Sequence, residues 1–472
     1  MTPQHARYDV PEGGSSSNDS NAPMSSDRHT SPVPADGSLR RGPYALAVGE
    51  NARSRIDVGV LLAAVEDAAP VDAVEAVTRE LGAALGARSA SFLIADMSGR
   101  ALVRLAHVPI GDVMGRRRQD EEVATVLPFD GGPQEQALRS QTIHVSGSAG
   151  AYTVMAPVTQ RGDAIGLLEI SFPVEPDEAA LVQVSRAAHA LAYVVIASRR
   201  HTDLFEWGQR TVPFTLAAEI ERRLLPAAFT CEADSFTLSA WLEPAASIGG
   251  DTFDYSLARD QLHLSITDAV GHGIHSALTA TLCVGSLRHT RRHGLSLLEQ
   301  AQAANRALIN DPPSGFTFAT GLLGRLDLRT GVLAMVNAGH PAPLLVRDGE
   351  VRPLALPIDR PFGVLRHETY RVTEIPLQVG DRLVLFTDGM IEREAESIDL
   401  PARMSNLAGL HPREVVRVLG DTVLDVAGPT LPDDACLLVL DWRGGHGDSR
   451  STTAGADPTL ASTSSAGTDS VT

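Results

Sequence analysis

The sequence predicts an α+β protein, in which an α/β domain comes first and a larger domain of sheets covered by helices follows. Two observations support this prediction. In the second half of the chain, strand-like apolar runs outnumber helical segments, and most neighbouring runs read as antiparallel. Helical segments with an apolar face lie between these runs. The strand-like runs are residues 236–242, 261–268, 318–328, 331–339, 381–389 and 435–441.

Three helical segments of the second half have recognisable signals. Apolar residues recur on one face of residues 273–292. Ser296 and Glu299 have the spacing of a capping box. Pro412 suits the first turn of a helix over 412–426, because proline has no N–H to leave unpaired there. We therefore expect three helices to cover the sheets of this domain.

The first structured part of the chain, residues 55–200, is predicted to form the α/β domain. A helical spacing of apolar residues comes first, short strands follow, and a second helical segment closes the domain. A hairpin is expected around the turn at Gly162 and Asp163. These elements are a helix within 71–87, strands at 89–96 and 100–108, a hairpin over 153–172, and a helix after Pro176.

Three segments lie outside these two domains. Residues 1–43 and 444–472 are rich in small and polar residues, so we expect disordered tails that bury too little apolar surface to fold. Residues 201–230 read as a connector with an amphipathic helix that ends at Pro226. The connector helix either transmits a signal between the domains or is an inert linker. The second domain then comprises residues 231–443.

Composition excludes several classes of function. The formal net charge is −18, which disfavours nucleic-acid binding because phosphate recognition needs a basic surface. All 40 basic residues are arginine, so a Walker A loop, a kinase ATP site and a pyridoxal Schiff base lack their lysine. Three scattered cysteines predict neither disulfides nor a zinc finger. No membrane span or signal peptide is expected, and the cytoplasm is the simplest location.

Aspartates stand beside glycines where several predicted strands begin or end. A single aspartate of this kind is usually a turn residue or a helix cap. Several of them brought together would repel one another unless cations lay between them, and carboxylate oxygens suit Mg²⁺ or Mn²⁺. Two such ions can share a water, lower its pKa and direct it at a phosphorus atom. The residues concerned are Asp251, Asp254, Asp268, Asp388, Asp433 and Asp434.

The segments that contain these aspartates resemble a known family. They resemble bacterial type 2C (PPM-type) phosphatases, and most closely the SpoIIE-like, sigma-factor-regulating serine phosphatases. The resemblance implies a β-sandwich flanked by helices, a two-metal site, and hydrolysis of phosphoserine or phosphothreonine on a protein, usually an anti-sigma-factor antagonist of the STAS type. The segments, in chain order, are GGDTFD, DAVGHG, NAGHPAPLLV, PFGV, FTDGMIE and DDACLLVL.

The resemblance also assigns roles to individual residues. Asp251 would ligate and bridge two Mn²⁺ or Mg²⁺ ions, and Asp268 would be a ligand beside the carbonyl of Ala269. Asp388 would hold the second ion, and Asp433 would complete the site in preference to its neighbour Asp434. Asp251, Asp268 and Asp388 are thus the expected catalytic residues. His272 and His340 lie in the same motifs, and a structural role is favoured for both.

The first domain resembles a GAF sensor domain, through its order of elements and the segment 156–170. This resemblance implies either a small ligand of unknown identity or a ligand-free dimerisation scaffold, so a homodimer is possible. The segment has no cysteine, which excludes a thioether-linked bilin and a cysteine-held iron–sulfur cluster within it. Three functions remain open: a phosphatase controlled by its sensor, a catalytically degenerate phosphatase domain that acts as a binding module, and a ligand sensor with a purely protein–protein output.

Overall fold

A computed structural model describes the chain in these ranges: 56–97, 99–110, 125–148, 150–211, 214–243, 249–313, 315–391, 398–427, 431, 433–445, 452 and 455–460. The predicted N-terminal tail, residues 1–43, lies outside the described residues. Contacts within the chain group residues 52–472 into one unit. The N-terminal and C-terminal domains described below are therefore packed together.

The N-terminal domain is a six-stranded antiparallel sheet with helices on both faces, in the strand order β3-β2-β1-β6-β5-β4. Side chains alternate along β1, so Phe92 packs with the helices α2 and α4 while Leu93 packs with α3. The elements are α1 (Val58–Asp67), α2 (Ala73–Leu85), β1 (Ser89–Ala95), β2 (Ala101–Pro109), β3 (Thr125–Pro128), α3 (Pro133–Ser140), β4 (His144–Ser148), β5 (Ala151–Gln160), β6 (Asp163–Phe172), α4 (Glu178–Ser198) and α5 (Leu204–Gly208).

Helix α4 corrects one expectation. Its 21 residues, Glu178–Ser198, are long and apolar enough to cross a membrane by length and composition, although no such stretch was expected from the sequence. One face of α4 packs onto β5 through residues such as Val184 and Leu191, which are fully buried. This face of α4 thus belongs to the core of the N-terminal domain, whereas Val182 and Tyr193 on the same helix are exposed.

The C-terminal domain follows helix α6 (Leu216–Leu224), which lies in the predicted connector, and contains two six-stranded sheets. One sheet has the order β15-β12-β11-β10-β9 with β16 beside β12, and the other has the order β14-β13-β17-β18-β8-β7. The elements are β7 (Thr230–Glu232), β8 (Phe236–Glu243), β9 (Asp251–Leu257), β10 (Gln261–Ala269), α7 (Ile274–Arg292), α8 (Leu297–Asn310), β11 (Ala319–Asp327), β12 (Val332–Ala338), β13 (Leu344–Arg347), β14 (Glu350–Pro353), β15 (Ile358–Asp359), β16 (Thr373–Pro376), β17 (Arg382–Phe386), a 3₁₀ turn (Asp388–Met390), α9 (Leu400–Asn406), α10 (Pro412–Ala427) and β18 (Ala435–Trp442).

The two sheets form a β-sandwich between helices. In β17, Leu383 and Leu385 enter the core shared by both sheets, whereas Val384 and Phe386 enter the core under α9 and α10. Helices α7 and α8 cover the opposite sheet and bury a third core. This alternation of two buried faces explains why the strands read as continuous apolar runs. The predicted α+β class and helix-flanked sandwich are confirmed.

The turn between β5 and β6 joins the N-terminal domain to the C-terminal one. We call this contact the junction: residues 161–163 against residues 229–232. The Glu232 N–H donates to the Arg161 carbonyl at 2.8 Å. The Asp163 carboxylate accepts the N–H groups of Phe229 and Thr230, both at 3.1 Å. The predicted hairpin turn is therefore also the place where the two domains meet.

A short C-terminal segment, residues 455–460, lies against the junction, although residues 444–472 were expected to be disordered. The Gly162 N–H donates to the Gly455 carbonyl at 3.0 Å, and the Asp457 N–H donates to Glu232 at 2.9 Å. Composition failed to predict this order because the segment buries little apolar surface of its own and is fixed by hydrogen bonds to distant residues. The expectation of disorder does not hold for residues 455–460.

Substitution of Gly455 tests whether the C-terminal segment stabilises the junction. Gly455 has a φ of +91°, and a Cβ there would overlap the carbonyl of Thr159. We expect Gly455→Val to lower the free energy of unfolding by ~1–2 kcal/mol. Urea unfolding measures this change, and the exposed Thr452→Val is the matched control. Equal stability of the wild type and Gly455→Val would show that the segment contributes nothing.

Candidate metal centre

Asp251 and Asp268 lie opposite each other at one end of the sandwich. Asp251 is the first residue of β9, Asp268 is near the end of β10, and the two residues are direct partners in the antiparallel pair. Asp251 is 3 % exposed, and Asp268 is half-buried. Like charges in a directly opposed pair repel each other. The register of β9 and β10 therefore brings together two of the predicted ligands.

The end of β17 supplies the next group. Thr387 is fully buried, and its hydroxyl donates to Asp251 at 2.5 Å while accepting from the Cys436 N–H at 2.9 Å. Asp388 follows immediately and begins the 3₁₀ turn. A Cβ on Gly389 would overlap the carbonyl oxygen of Asp434, so glycine lets this turn lie directly on the chain before β18.

Asp433 and Asp434 precede β18 and have different surroundings. Asp434 is 2 % exposed, and its carboxylate accepts the Gly250 N–H at 3.0 Å. Asp433 is half-buried, and its carboxylate accepts the N–H of Asp434 at 3.1 Å. Asp434 therefore fixes the backbone just before Asp251. The predicted ligand role of Asp433 stays a prediction.

Gly250 lets two chain segments approach closely at the site. Its carbonyl accepts the Ala269 N–H at 3.1 Å, and a Cβ on Gly250 would lie 2.6 Å from the Ala269 carbonyl oxygen. Ser276 of α7 donates to the carbonyl of Gly249. The turn that carries Asp251 is thus held from both sheets and from α7, and the predicted backbone ligand, Ala269, adjoins it.

Glu221 of helix α6 is a further carboxylate at this turn that was not singled out in the sequence. It is 1 % exposed, and a Cβ on Gly249 would lie 3.1 Å from its Oε2. The buried residues of α6 are Ala217, Ala218, Glu221 and Leu224. Glu221 thus lies on the otherwise apolar face of the helix. A charged residue at such a position was the sequence signal that could have identified it.

The neighbouring carboxylates raise the pKa values of Asp251 and Glu221. Burial, and then the charges of Asp268 and Asp434, raise the pKa of Asp251 well above its usual value. Burial, and then the charge of Asp434, raise the pKa of Glu221 in the same direction. Hard oxygen donors crowded in this way fit Mg²⁺ or Mn²⁺, because a divalent cation would relieve their repulsion.

Some of the candidate residues do not join the group. Asp254 lies on β9, but its carboxylate pairs with Arg288 and Arg291 of α7 at 2.8 and 2.9 Å. Over the residues that the structure describes, no three His, Cys, Asp or Glu side chains already stand together as a metal-ligand set. The fit to a metal thus rests on the donor chemistry and the accumulated negative charge around Asp251.

The two histidines of the motifs have different surroundings. His340 is 2 % exposed, and its Nδ1 and Nε2 lie 2.7 Å from the Thr320 hydroxyl and 3.1 Å from the Phe386 carbonyl. Because Nε2 faces a carbonyl, the neutral ring donates through Nε2 and accepts the hydroxyl proton at Nδ1. His272 is exposed on the turn before α7. His340 thus connects β11 to the end of β17, next to Thr387.

Comparison with known proteins bears on the domain that carries this site. Residues 258–443 match the model of the family described as Stage II sporulation protein E (SpoIIE). Residues 258–443 form a SpoIIE-family domain. The match begins after Asp251 and includes Asp268, Ala269, Asp388 and Asp433. The predicted family of the C-terminal domain is confirmed, whereas the GAF-like interpretation of the N-terminal domain stays a prediction.

Individual relatives each match a little under half of the chain. Phosphoserine phosphatase RsbP of Bacillus subtilis is 22 % identical over 219 residues, which are 44 % of this chain and 53 % of RsbP. Phosphoserine phosphatase RsbU of the same organism is 22 % identical over 237 residues, 48 % of this chain and 68 % of RsbU. The crystal structure of the RsbU and RsbW domains of Rv1364c from Mycobacterium tuberculosis is 27 % identical, with a TM-score of 0.41, and the match covers 45 % of this chain and 62 % of that one. This chain thus spans only about half the length of RsbP.

The burial of His340 predicts acid sensitivity of the SpoIIE domain. Burial lowers the pKa of His340 to about 4, whereas an unfolded histidine titrates at about 6.5. The unfolded chain therefore binds a proton first, and stability falls as the pH drops from about 6.5 to about 4. Between pH 7 and pH 5 this group should cost ~2 kcal/mol of unfolding free energy.

The variant His340→Gln should reduce the loss of stability between pH 7 and pH 5 by this amount, measured by urea unfolding at both values. The exposed His201→Gln is the matched control and should leave the loss unchanged. An undiminished loss in His340→Gln would contradict the argument.

Proposed function

We propose that this protein is a metal-dependent phosphoprotein phosphatase whose SpoIIE-family domain hydrolyses phosphoserine or phosphothreonine on a regulatory protein. The observation that carries the proposal is the cluster of carboxylates around Asp251 at one end of the sandwich. The other predicted ligands lie within the residues that match the SpoIIE family. Two relatives of the domain are named phosphoserine phosphatases. A small STAS-type anti-sigma-factor antagonist is the substrate that the motif resemblance suggests, and a cytoplasmic location belongs to the same proposal.

In this proposal two divalent ions would be held by the predicted ligands, which are Asp251, Asp268, the Ala269 carbonyl, Asp388 and Asp433. When bound there, Mn²⁺ or Mg²⁺ would supply positive charge for the phosphate and would lower the pKa of a water. The chain's own contribution is orientation, since a carboxylate held in one position loses little freedom when it binds. Thr387 fixes Asp251 by its hydroxyl, and Asp434 fixes the preceding backbone at Gly250.

The N-terminal domain would control this activity through the junction and helix α6. Asp163 of the N-terminal domain holds the backbone of Phe229 and Thr230, a few residues after α6. Helix α6 in turn places Glu221 against the turn before Asp251. A displacement of the junction would therefore move a carboxylate at the proposed site. A GAF-like ligand and a homodimer are compatible with this route.

The variant Asp251→Asn tests the catalytic proposal. Loss of the central carboxylate should lower Mn²⁺-dependent hydrolysis of p-nitrophenyl phosphate at least ~100-fold. Stability in EDTA should be equal or higher, because a buried charge among carboxylates is removed. The melting temperature of the wild type should rise with Mn²⁺, and that of the variant should not.

The exposed Asp260→Asn, in the turn between β9 and β10, is the matched control and should match the wild type in both readouts. Full activity of Asp251→Asn would exclude the proposed site. Binding of Mn²⁺ without hydrolysis of any phosphoserine substrate would favour the alternative, a degenerate domain that acts as a binding module.

The variant Asp163→Ala tests control by the N-terminal domain. It leaves the N–H groups of Phe229 and Thr230 without their acceptor and should weaken the junction by ~1–3 kcal/mol. We expect Mn²⁺-dependent turnover to change at least threefold, whereas Asp130→Ala, in an exposed turn of the same domain, should leave it unchanged. Identical turnover of Asp163→Ala and the wild type, despite lower stability, would indicate an inert connector.

A further inference from the structure

A cavity lies beside the junction, where the N-terminal domain, the connector and the C-terminal domain meet. Its volume is about 190 Å³, and its walls are mostly apolar. The N-terminal domain contributes Phe129 and Ile165, the connector contributes Phe229, and the C-terminal domain contributes Trp241 and Val416. One water molecule needs about 10–15 Å³ of cavity volume. By that measure the cavity has room for a molecule of about a dozen heavy atoms.

Two arginines, Arg199 and Arg222, line the cavity close enough for their positive charges to interact. Arg199 ends helix α4, and its Nε is fully buried without a hydrogen-bond partner among the described residues. The guanidinium of Arg222 lies 5.3 Å from the centre of the Phe229 ring. Burial, and then the charge of Arg199, lower the pKa of Arg222, so the two cations repel each other. A buried donor without a partner is costly to leave as it is.

The other charged groups of the cavity wall balance one another, because Arg139, Arg413 and Arg417 are matched by three acids, Asp96, Glu414 and Asp421, all of which have partners. Arg139 and Arg417 pair with Glu414 at 3.0 and 3.2 Å. Arg413 donates to the Gly162 carbonyl at 2.8 Å. Asp163 offsets one of the two remaining positive charges, but its Oδ1 is engaged by the backbone of the junction. The five arginines of the cavity wall thus exceed its four acids by one positive charge. Glu206, outside the wall, also acts on Arg199 and Arg222, but it is itself paired with Arg210 and Arg223.

We propose that this cavity binds a small organic monoanion, a carboxylate with an aromatic or branched apolar body, held by Arg199 and Arg222. The carboxylate supplies the acceptor that Arg199 Nε lacks, and it lies between two cations that otherwise repel each other. The apolar body fills the space between Phe129, Ile165 and Trp241. A phosphate dianion fits less well, because its second charge would have no counter-charge in this balance.

Arg222 connects the ligand cavity to the carboxylate site through helix α6. Arg222 follows Glu221 on helix α6, so one residue lines the cavity and its neighbour faces the Gly249–Gly250 turn. A ligand that fixes Arg222 would fix α6 and with it Glu221. This consequence rests on the proposed phosphatase function, whereas binding of the monoanion does not.

Benzoate is the probe for a binding test on the full chain, with the neutral benzamide and inorganic phosphate as comparisons. Isothermal titration calorimetry and the melting temperature should show benzoate binding that exceeds binding of either comparison at least tenfold. Arg199→Met and Arg222→Met should each weaken benzoate binding at least ~10-fold. Their neighbours provide matched controls, because Arg200→Met and Arg223→Met alter exposed side chains and should bind as the wild type does.

A second measurement needs no variant. Benzoate should protect Arg199 and Arg222 of the wild type from modification by phenylglyoxal, read by peptide mass spectrometry, while Arg200 stays reactive. Asp251→Asn should still bind benzoate and still prefer it to benzamide, so failure of the phosphatase proposal and failure of this one give different results. Absence of benzoate binding, equal binding of benzamide, or lack of protection at both arginines would each overturn the proposal.

Discussion

The repulsion among carboxylates around Asp251 is the constraint on which the rest of the C-terminal domain depends. A carboxylate that is 3 % exposed and opposed by Asp268 is unfavourable by itself, so the surrounding fold must hold it in place. The register of β9 and β10 fixes the pair, and the close approaches at Gly250 and Gly389 bring the remaining acids to it. The apolar core between the two sheets supplies the stability against which this repulsion is maintained.

Much of the fold was predictable because the strands that form the sandwich are buried on both faces. Such strands appear as continuous apolar runs, and β8, β10, β11, β12, β17 and β18 were all expected within a few residues of their observed bounds. Strand β14 was missed because its residues are mostly exposed and leave no apolar pattern. Strand β9 was missed although its first four residues are buried, because polar residues such as Asp251 and Asp254 interrupt its apolar pattern. The ordered structure of residues 455–460 could not be predicted either, because it depends on hydrogen bonds to Gly162 and Glu232 far away in the chain.

The acidic residues of the candidate site could be predicted from the sequence, whereas the residues that hold them in place could not. An aspartate at the end of an apolar strand is conspicuous in a sequence, which is why Asp251, Asp268 and Asp388 could be selected. Thr387 was not, because a threonine in a strand is ordinary and its hydroxyl bond to Asp251 spans 136 positions. Asp433 and Asp434 are adjacent in sequence, and only the geometry distinguishes the one that holds Gly250 from its neighbour.

Helix α6 connects the carboxylates around Asp251 with the arginine-lined cavity through two consecutive residues, Glu221 and Arg222. Neighbouring side chains on an α-helix point about 100° apart, so Glu221 can face the carboxylate group while Arg222 faces the cavity. A rotation or shift of α6 would change both environments at once, because neither side chain can move without the shared backbone. Coupling of this kind is reciprocal: whatever binds at one end and favours one position of α6 must alter affinity at the other end by the same factor. The strength of the coupling is limited by how differently each end contacts its ligand in the two positions of the helix. The buried Glu221, set among other acids, makes that difference large at the carboxylate end, because a small displacement there changes a repulsion that the interior screens weakly.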